Sequence, residues 1–217
     1  MPAGVEYVIL LHGLARTRRS MRPLQRALER HGYATINLGY DWRAGSIETL
    51  APAAIEPALD RCPPGAAIHF VTHSLGGILL RQYLSEKDIN DLGRVVMLGP
   101  PNHGSEVVDR LGRWPGFRLW NGRAGLQLGT DDASVPRRLG RAAFDVGIIA
   151  GTRSVNPLLS RLIAGRNDGK VSVQSSRLDG MHDHLEMPVT HPFMMRNRAV
   201  IAQVIHYLEN GRFERSA

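Results

Sequence analysis

The sequence predicts a doubly wound α/β domain, a mostly parallel sheet of about six strands with helices on both faces. Three observations predict it. Short runs that are apolar throughout recur along the chain, and segments with helical spacing of apolar residues separate them. No linker, low-complexity tract or internal repeat divides the 217 residues, a length that suits one domain with a substantial core.

Tyr7 to Leu11 is the first apolar run, bounded by Gly4 and by His12-Gly13, as a fully buried strand would be. A helix follows, with Met21, Leu24, Ala27 and Leu28 on one face and Gly32 to stop it. Ala34 to Leu38 is a second strand. Residues 47 to 59 read as a helix whose limits are blurred by Pro52 and Pro57. Ala66 to Val71 is the third strand, and Ile78, Leu79, Leu80, Tyr83 and Leu84 then have helical spacing. Val95 to Leu98 and Val146 to Ala150 are further strands, with a weaker one near Met181 to Val189. The last helix, Asn197 to Asn210, aligns Val200, Ile201, Val204, Ile205 and Leu208, and Gly211 is placed to cap it.

Composition narrows the function classes. No apolar run approaches the roughly 20 residues of a membrane-crossing helix. Cys62 is the only cysteine, which excludes an intrachain disulfide and a Cys-based metal cluster. The formal net charge is +7, and with Lys87 and Lys170 the only lysines it is carried by arginine. An arginine excess suits anionic lipid surfaces or acidic substrates, although scattered arginines also read as an ordinary solvated surface. No basic stripe interleaved with aromatics marks a nucleic-acid module. The start shows no secretory signal peptide, so a complete chain is expected in the cytoplasm and one stripped of a leader in the periplasm or outside the cell. The oligomeric state is not legible.

The residues that carry chemistry begin with Thr72-His73-Ser74-Leu75-Gly76-Gly77, between the third strand and the helix after it. A serine hydroxyl needs exposure, a base within reach and donors for the oxyanion formed on attack. A tight strand-to-helix turn exposes it, and small residues beside it let helix and strand approach. Taken alone, such a serine also reads as a helix N-cap, the lesser of the two readings. Leu11-His12-Gly13-Leu14 follows the first strand directly.

With these two motifs the chain resembles the α/β-hydrolase family, and within it small bacterial lipases and esterases, from the His-Gly loop to the terminal helix. It departs from the G-x-S-x-G pattern in carrying Thr72 for the first glycine. The resemblance implies a serine ester hydrolase without a cofactor, with Ser74 as nucleophile and the N–H groups of Leu14 and Leu75 as oxyanion hole. The family order of serine, acid, histidine points to the late residues. His191, before the final helix, fits the base better than His184 or His182. Asp168, in Asn167-Asp168-Gly169-Lys170-Val171, fits the acid better than Asp179 or Asp183.

His12, Gly13, His73, Asn102, His103, Trp114 and Trp120 complete the residues expected around the substrate. Asn102 and His103 belong to Pro100-Pro101-Asn102-His103-Gly104-Ser105, which resembles a loop lining the acyl site of lipases. Residues 106–135, apolar and holding two of the three tryptophans, are either a cap over an acyl groove or a helical excursion that uses its tryptophans as core. The implied partner is an acyl ester or lipid, met through transient contact with a lipid surface, and the Asn-His-Gly-Ser and Asp-Gly-Lys-Val stretches also resemble those of lipid-anchor deacylases. A thioesterase or a silent binding protein of the same fold are the other readings. On a strand His182 and His184 would point to the same side, as a chelating pair would, but no further clustered ligands accompany them and no metal is expected.

Overall fold

The computed structural model describes residues 4–215, apart from the side chains of Arg118, Trp120, Pro157 and Leu159. Its six strands are β1 (Tyr7–Leu11), β2 (Ala34–Ile36), β3 (Ile68–His73), β4 (Leu92–Leu98), β5 (Val146–Gly151) and β6 (Asp183–Met187). They form one sheet of order β2-β1-β3-β4-β5-β6, with every pair parallel.

Alternation along β1 sorts the core. Ile9 and Leu11 point to one face, where they meet helix α2 (Ile47–Leu59) and helix α3 (Leu75–Glu86) through Ile47, Leu50, Ile55, Ile78 and Leu79. Val8 and Leu10 point to the other. There, helix α1 (Arg22–Arg30) and the C-terminal helix bring Leu24, Leu28, Val200, Val204 and Leu208. Two apolar layers therefore enclose the sheet, which is why its central strands are apolar throughout.

The expected elements form with shifted edges. Helix α2 runs through Pro52 and Pro57, because burying Ile47, Leu50, Ala51, Ala54, Ile55 and Ala58 outweighs the lost amide donors. Helix α3 starts at Leu75, three residues before its apolar spacing becomes readable. The weak late strand is only five residues, Asp183–Met187, on the sheet edge. After β4 come α4 (Glu106–Leu111) and α5 (Pro115–Leu126), the latter broken at Gly122, whose φ of 63° and ψ of −173° are not helical. Single turns follow as α6 (Val135–Arg138), α7 (Pro157–Ser160) and α8 (Val173–Ser176). Helix α9 (Arg198–Asn210) is capped by the Asn197 side chain, which accepts from Ala199 and Val200, and ends on Gly211 at φ 71°.

The strand order reverses between β1 and β3. In open α/β sheets the crevice at the carboxyl ends of such a pair is where ligands bind. His12-Gly13-Leu14 leaves β1 there and Ser74 leaves β3.

Candidate active site

Ser74 connects β3 to α3 with φ 53° and ψ −120°, a left-handed geometry that a non-glycine residue adopts only under constraint from its surroundings. Its N–H donates to Leu98 O at 2.9 Å, tying the turn to the end of β4. Space requires the glycine at 76 and crowds any larger residue at 77. A Cβ on Gly76 would stand 2.6 Å from Leu11 O, and one on Gly77 3.2 Å from Thr72 Oγ1. The second contact explains how Thr72 replaces the usual glycine: its side chain takes the volume that Gly77 leaves empty.

The loop after β1 lies against this turn. A Cβ on Gly13 would come within 2.9 Å of Ser74 Cβ, so only glycine lets the loop pass. Ala15 carries the other positive φ among described non-glycine residues, at 55°. Among those residues the N–H groups of Leu14 and Leu75 have no hydrogen-bond partner, the latter because it opens a helix. Leu14 and Ser74 line the same cleft.

Asp168 and His191 meet in the interior. Asp168 Oδ2 is 2.7 Å from His191 Nδ1, and the two residues are 1% and 3% exposed, so the contact is shielded from water. Asp168 Oδ1 accepts from the N–H groups of Lys170 at 2.9 Å and Val171 at 2.8 Å, and His191 N–H donates to Asp168 O. The Asp-Gly turn thus fixes both carboxylate oxygens. Gly99, next to the Leu98 that holds Ser74, leaves room for the pair: a Cβ there would lie 3.0 Å from Asp168 Oδ2 and 3.1 Å from His191 Nδ1. Among the described residues Ser74 Oγ and His191 Nε2 have no hydrogen-bond partner and are not bonded to each other. Such contacts are often loose before substrate binds.

His73 lies beneath His191. Its Nε2 donates to His191 O at 3.0 Å and the two rings are 4.8 Å apart, while its Nδ1 is buried without a partner. Burial first, and then the neighbouring His191, lower its pKa well below the usual histidine value, so His73 is neutral.

A cleft of about 510 Å³ opens beside Ser74. Val107, Val108, Leu111, Trp114, Phe117 and Leu128 give it an apolar wall, supplied mainly by α4 and α5, so the 106–135 segment shares a cleft with Ser74. Trp114 is 68% exposed at the rim. The Trp120 side chain lies outside the described residues.

The structure does not bring His12, His73, Asn102 or His103 to the cleft wall. His12 is fully buried, its Nδ1 near Gly13 O and its ring stacked on Tyr40 at 4.2 Å. The Tyr40 hydroxyl donates to His12 O at 2.5 Å, which pins the loop that presents Leu14. Asn102 turns inward, donating to Ser176 O at 2.9 Å and accepting from buried Arg81 at 3.1 Å. Arg81 also donates to Pro136 O and Gly140 O and has no carboxylate partner among the described residues. His103 faces a separate hollow with Glu106 and Arg137. From this loop only Pro101 and Ser105 reach the cleft. Asp179 and Asp183 stay away from His191: Asp183 pairs with Arg215, and Asp179 accepts Ala142 N–H through its backbone. His184 bonds Ser176 Oγ, and no cluster of three or more metal-binding side chains occurs among the described residues.

Comparison with known proteins agrees with the architecture. A model of a family described as "Alpha/beta hydrolase family" matches residues 8–204. The Bacillus licheniformis lipase BlEst2 superposes in its mature form with a TM-score of 0.69 at 20% identity, over 96% of this chain and 93% of that one. Its propeptide form gives 0.74 at 19% identity over 100% of this chain, which spans only 53% of the longer protein. A metagenomic carboxyl esterase, MGS0156, gives 0.69 at 21% identity over 88% of this chain and 65% of that one. At these identities the likeness is one of fold. No curated protein matches the chain.

Proposed function

The chain belongs to the alpha/beta hydrolase family, and from that premise we propose that it is a carboxylic-ester hydrolase, an esterase or lipase acting through an acyl-enzyme on Ser74. The observation that carries the reading is the strained Ser74 turn at the sheet's carboxyl edge, open to an apolar cleft, with the buried Asp168–His191 pair on the loops after β5 and β6. Each group has a role that suits its surroundings. His191 Nε2 takes the proton of Ser74 Oγ as the oxygen attacks the ester carbonyl, and the N–H groups of Leu14 and Leu75 bind the oxyanion. Asp168 holds Nδ1–H and stabilises the imidazolium, which then gives its proton to the departing alcohol. Water, deprotonated by His191, attacks the acyl-enzyme and returns free serine and a carboxylic acid. The apolar wall from α4 and α5 accepts the acyl chain and favours it over polar groups, and these helices act as the cap of the site. The exposed Trp114 suits transient contact with a lipid surface.

Hydrolysis of p-nitrophenyl esters from acetate to palmitate tests the reading. Turnover that peaks at medium or long chains and disappears in Ser74→Ala supports it. Turnover unchanged in Ser74→Ala would overturn it.

A further inference from the structure

One polar atom at the cleft has no task in the mechanism above. Trp114 at the start of α5, then Phe117 and Asn121 along it, all line the cleft, at the three- and four-residue spacing of a single helical face. The first two are aromatic, in keeping with the apolar wall. The third is an amide, and it is only 7% exposed. Its Nδ2 donates to Phe117 O at 2.8 Å, one turn back and just before the break at Gly122. That bond braces the helix end and accounts for the nitrogen. It also fixes the orientation of the amide, because a carbonyl takes a hydrogen bond only from Nδ2, so Oδ1 is left over. Among the described residues Oδ1 has no hydrogen-bond partner, yet it is not sealed in the interior as the orphaned His73 Nδ1 is. With the rest of the residue buried, the open space it meets is the cleft. The other hydroxyl of the wall is already bonded, since Ser105 Oγ donates to Lys170 O at 3.0 Å.

We propose that Asn121 Oδ1 accepts a hydrogen bond from a hydroxyl on the acyl chain, so that the preferred substrates are esters of hydroxylated fatty acids with the hydroxyl near the carbonyl. A plain alkyl chain entering beside the amide displaces the water on Oδ1 and returns no hydrogen bond, whereas a hydroxyl at that place returns it. The position along the chain follows from Leu14. A Cβ on Gly125 would lie 2.7 Å from Asn121 Cβ and 3.1 Å from Leu14 Cδ2, so the two side chains flank one glycine. Leu14 N–H holds the ester oxygen in the reading above, and Asn121 therefore meets the first few carbons of the chain. The donor is a hydroxyl for two reasons. An ammonium would be desolvated against Val107, Val108 and Leu111. An amide would bring a carbonyl for which Asn121 has no donor left.

The inference rests on Ser74 as nucleophile, and the experiment separates the two claims. Methyl octanoate and the two enantiomers of methyl 3-hydroxyoctanoate are compared by kcat/KM. One enantiomer should exceed both its mirror image and methyl octanoate by about tenfold, the worth of an acceptor otherwise left unpaired. Asn121→Leu keeps the side-chain volume and removes the acceptor, and it should abolish both preferences. Because a preference is a ratio, a partly folded variant still reports it. If the variant does not fold, the wild type decides with the 3-methoxy ether of the preferred enantiomer, which keeps the oxygen without its proton and should fall about tenfold below the alcohol. Equal kcat/KM for the esters, preferences that persist in Asn121→Leu, or an ether hydrolysed as well as the alcohol would overturn the inference and leave the hydrolase reading intact. Hydrolysis of none of them overturns the hydrolase reading, and calorimetry with the free acids then decides the subsite. A wild-type Kd about tenfold tighter for 3-hydroxyoctanoate than for octanoate supports it, and equal Kd values overturn it.

Discussion

Replacing Asp168 by Asn changes a single atom, yet the surroundings of that atom predict a large loss of rate. Oδ1 accepts two backbone N–H groups, from Lys170 and Val171, and Oδ2 faces His191 Nδ1. An asparagine there can keep its oxygen toward the two amides only by turning its NH₂ toward His191. Nδ1 must then accept, which puts the ring proton on Nε2, where it blocks proton transfer from Ser74. The opposite orientation presents NH₂ to two N–H donors and forfeits both bonds, at about 1–3 kcal/mol each. The competent tautomer is therefore disfavoured by roughly 2–6 kcal/mol, a factor between about 30 and about 10⁴. Loss of the charge that stabilises the imidazolium adds to this, so the expected fall in kcat is about 10³- to 10⁴-fold. The assay is p-nitrophenyl butyrate turnover, with Tm measured alongside. The side chains are isosteric, so Tm should change little. A variant within tenfold of wild-type kcat would refute the assignment of Asp168 as the acid.

Three further outcomes follow from the same contacts. Tyr40→Phe removes the hydroxyl that pins His12 O but keeps the ring stack, so kcat should fall by up to about tenfold, the worth of one hydrogen bond, with KM nearly unchanged; an unchanged kcat would detach Tyr40 from the oxyanion loop. Arg81, its pKa lowered by burial to about 10, remains charged at neutral pH and, among the described residues, is held only by Asn102, Pro136 and Gly140 oxygens. Arg81→Met orphans those acceptors and should destabilise the fold by roughly 3–5 kcal/mol, read as a Tm lower by about 10 °C. Burial, first among the causes, lowers the folded-state pKa of His12, His69, His73 and His184, the last to about 4. The unfolded chain binds those protons first, so stability should be full above the unfolded value of about 6.5 and fall as pH drops toward 4. Urea unfolding at several pH values checks this, with a shallower slope in His184→Gln; a flat profile would contradict it.

Much of this was legible because the chain states it locally. The apolar runs of β1, β3, β4 and β5 and the one-sided apolar spacing of α9 identify a parallel sheet between two helical layers before any contact is known. Ser74 stood out by its strand-to-helix turn sequence, whereas Asp168 and His191 were pointed to by the order and motifs of the family that the chain resembles. What stayed hidden depends on partners distant in sequence. Nothing near Asn102 announces Arg81 or Ser176, so the residue looked like pocket lining rather than a brace. His12 and His73 adjoin the right motifs, but their rings turn into Tyr40 and beneath His191, and residue order does not specify that direction. Tyr40 carried one usable signal, its place just beyond a strand's carboxyl end. The start of α3 was obscured by Gly76 and Gly77, which look like helix breakers; Gly76 instead lets the helix pass Leu11 O, and Gly77 leaves room for the Thr72 side chain.

The most direct test of the account is the site of covalent capture by an alkyl fluorophosphonate, read by intact mass and peptide mapping. One adduct per chain is expected, on Ser74, absent from Ser74→Ala and strongly slowed in His191→Ala. No adduct, or one on another residue, would contradict Ser74 as the nucleophile.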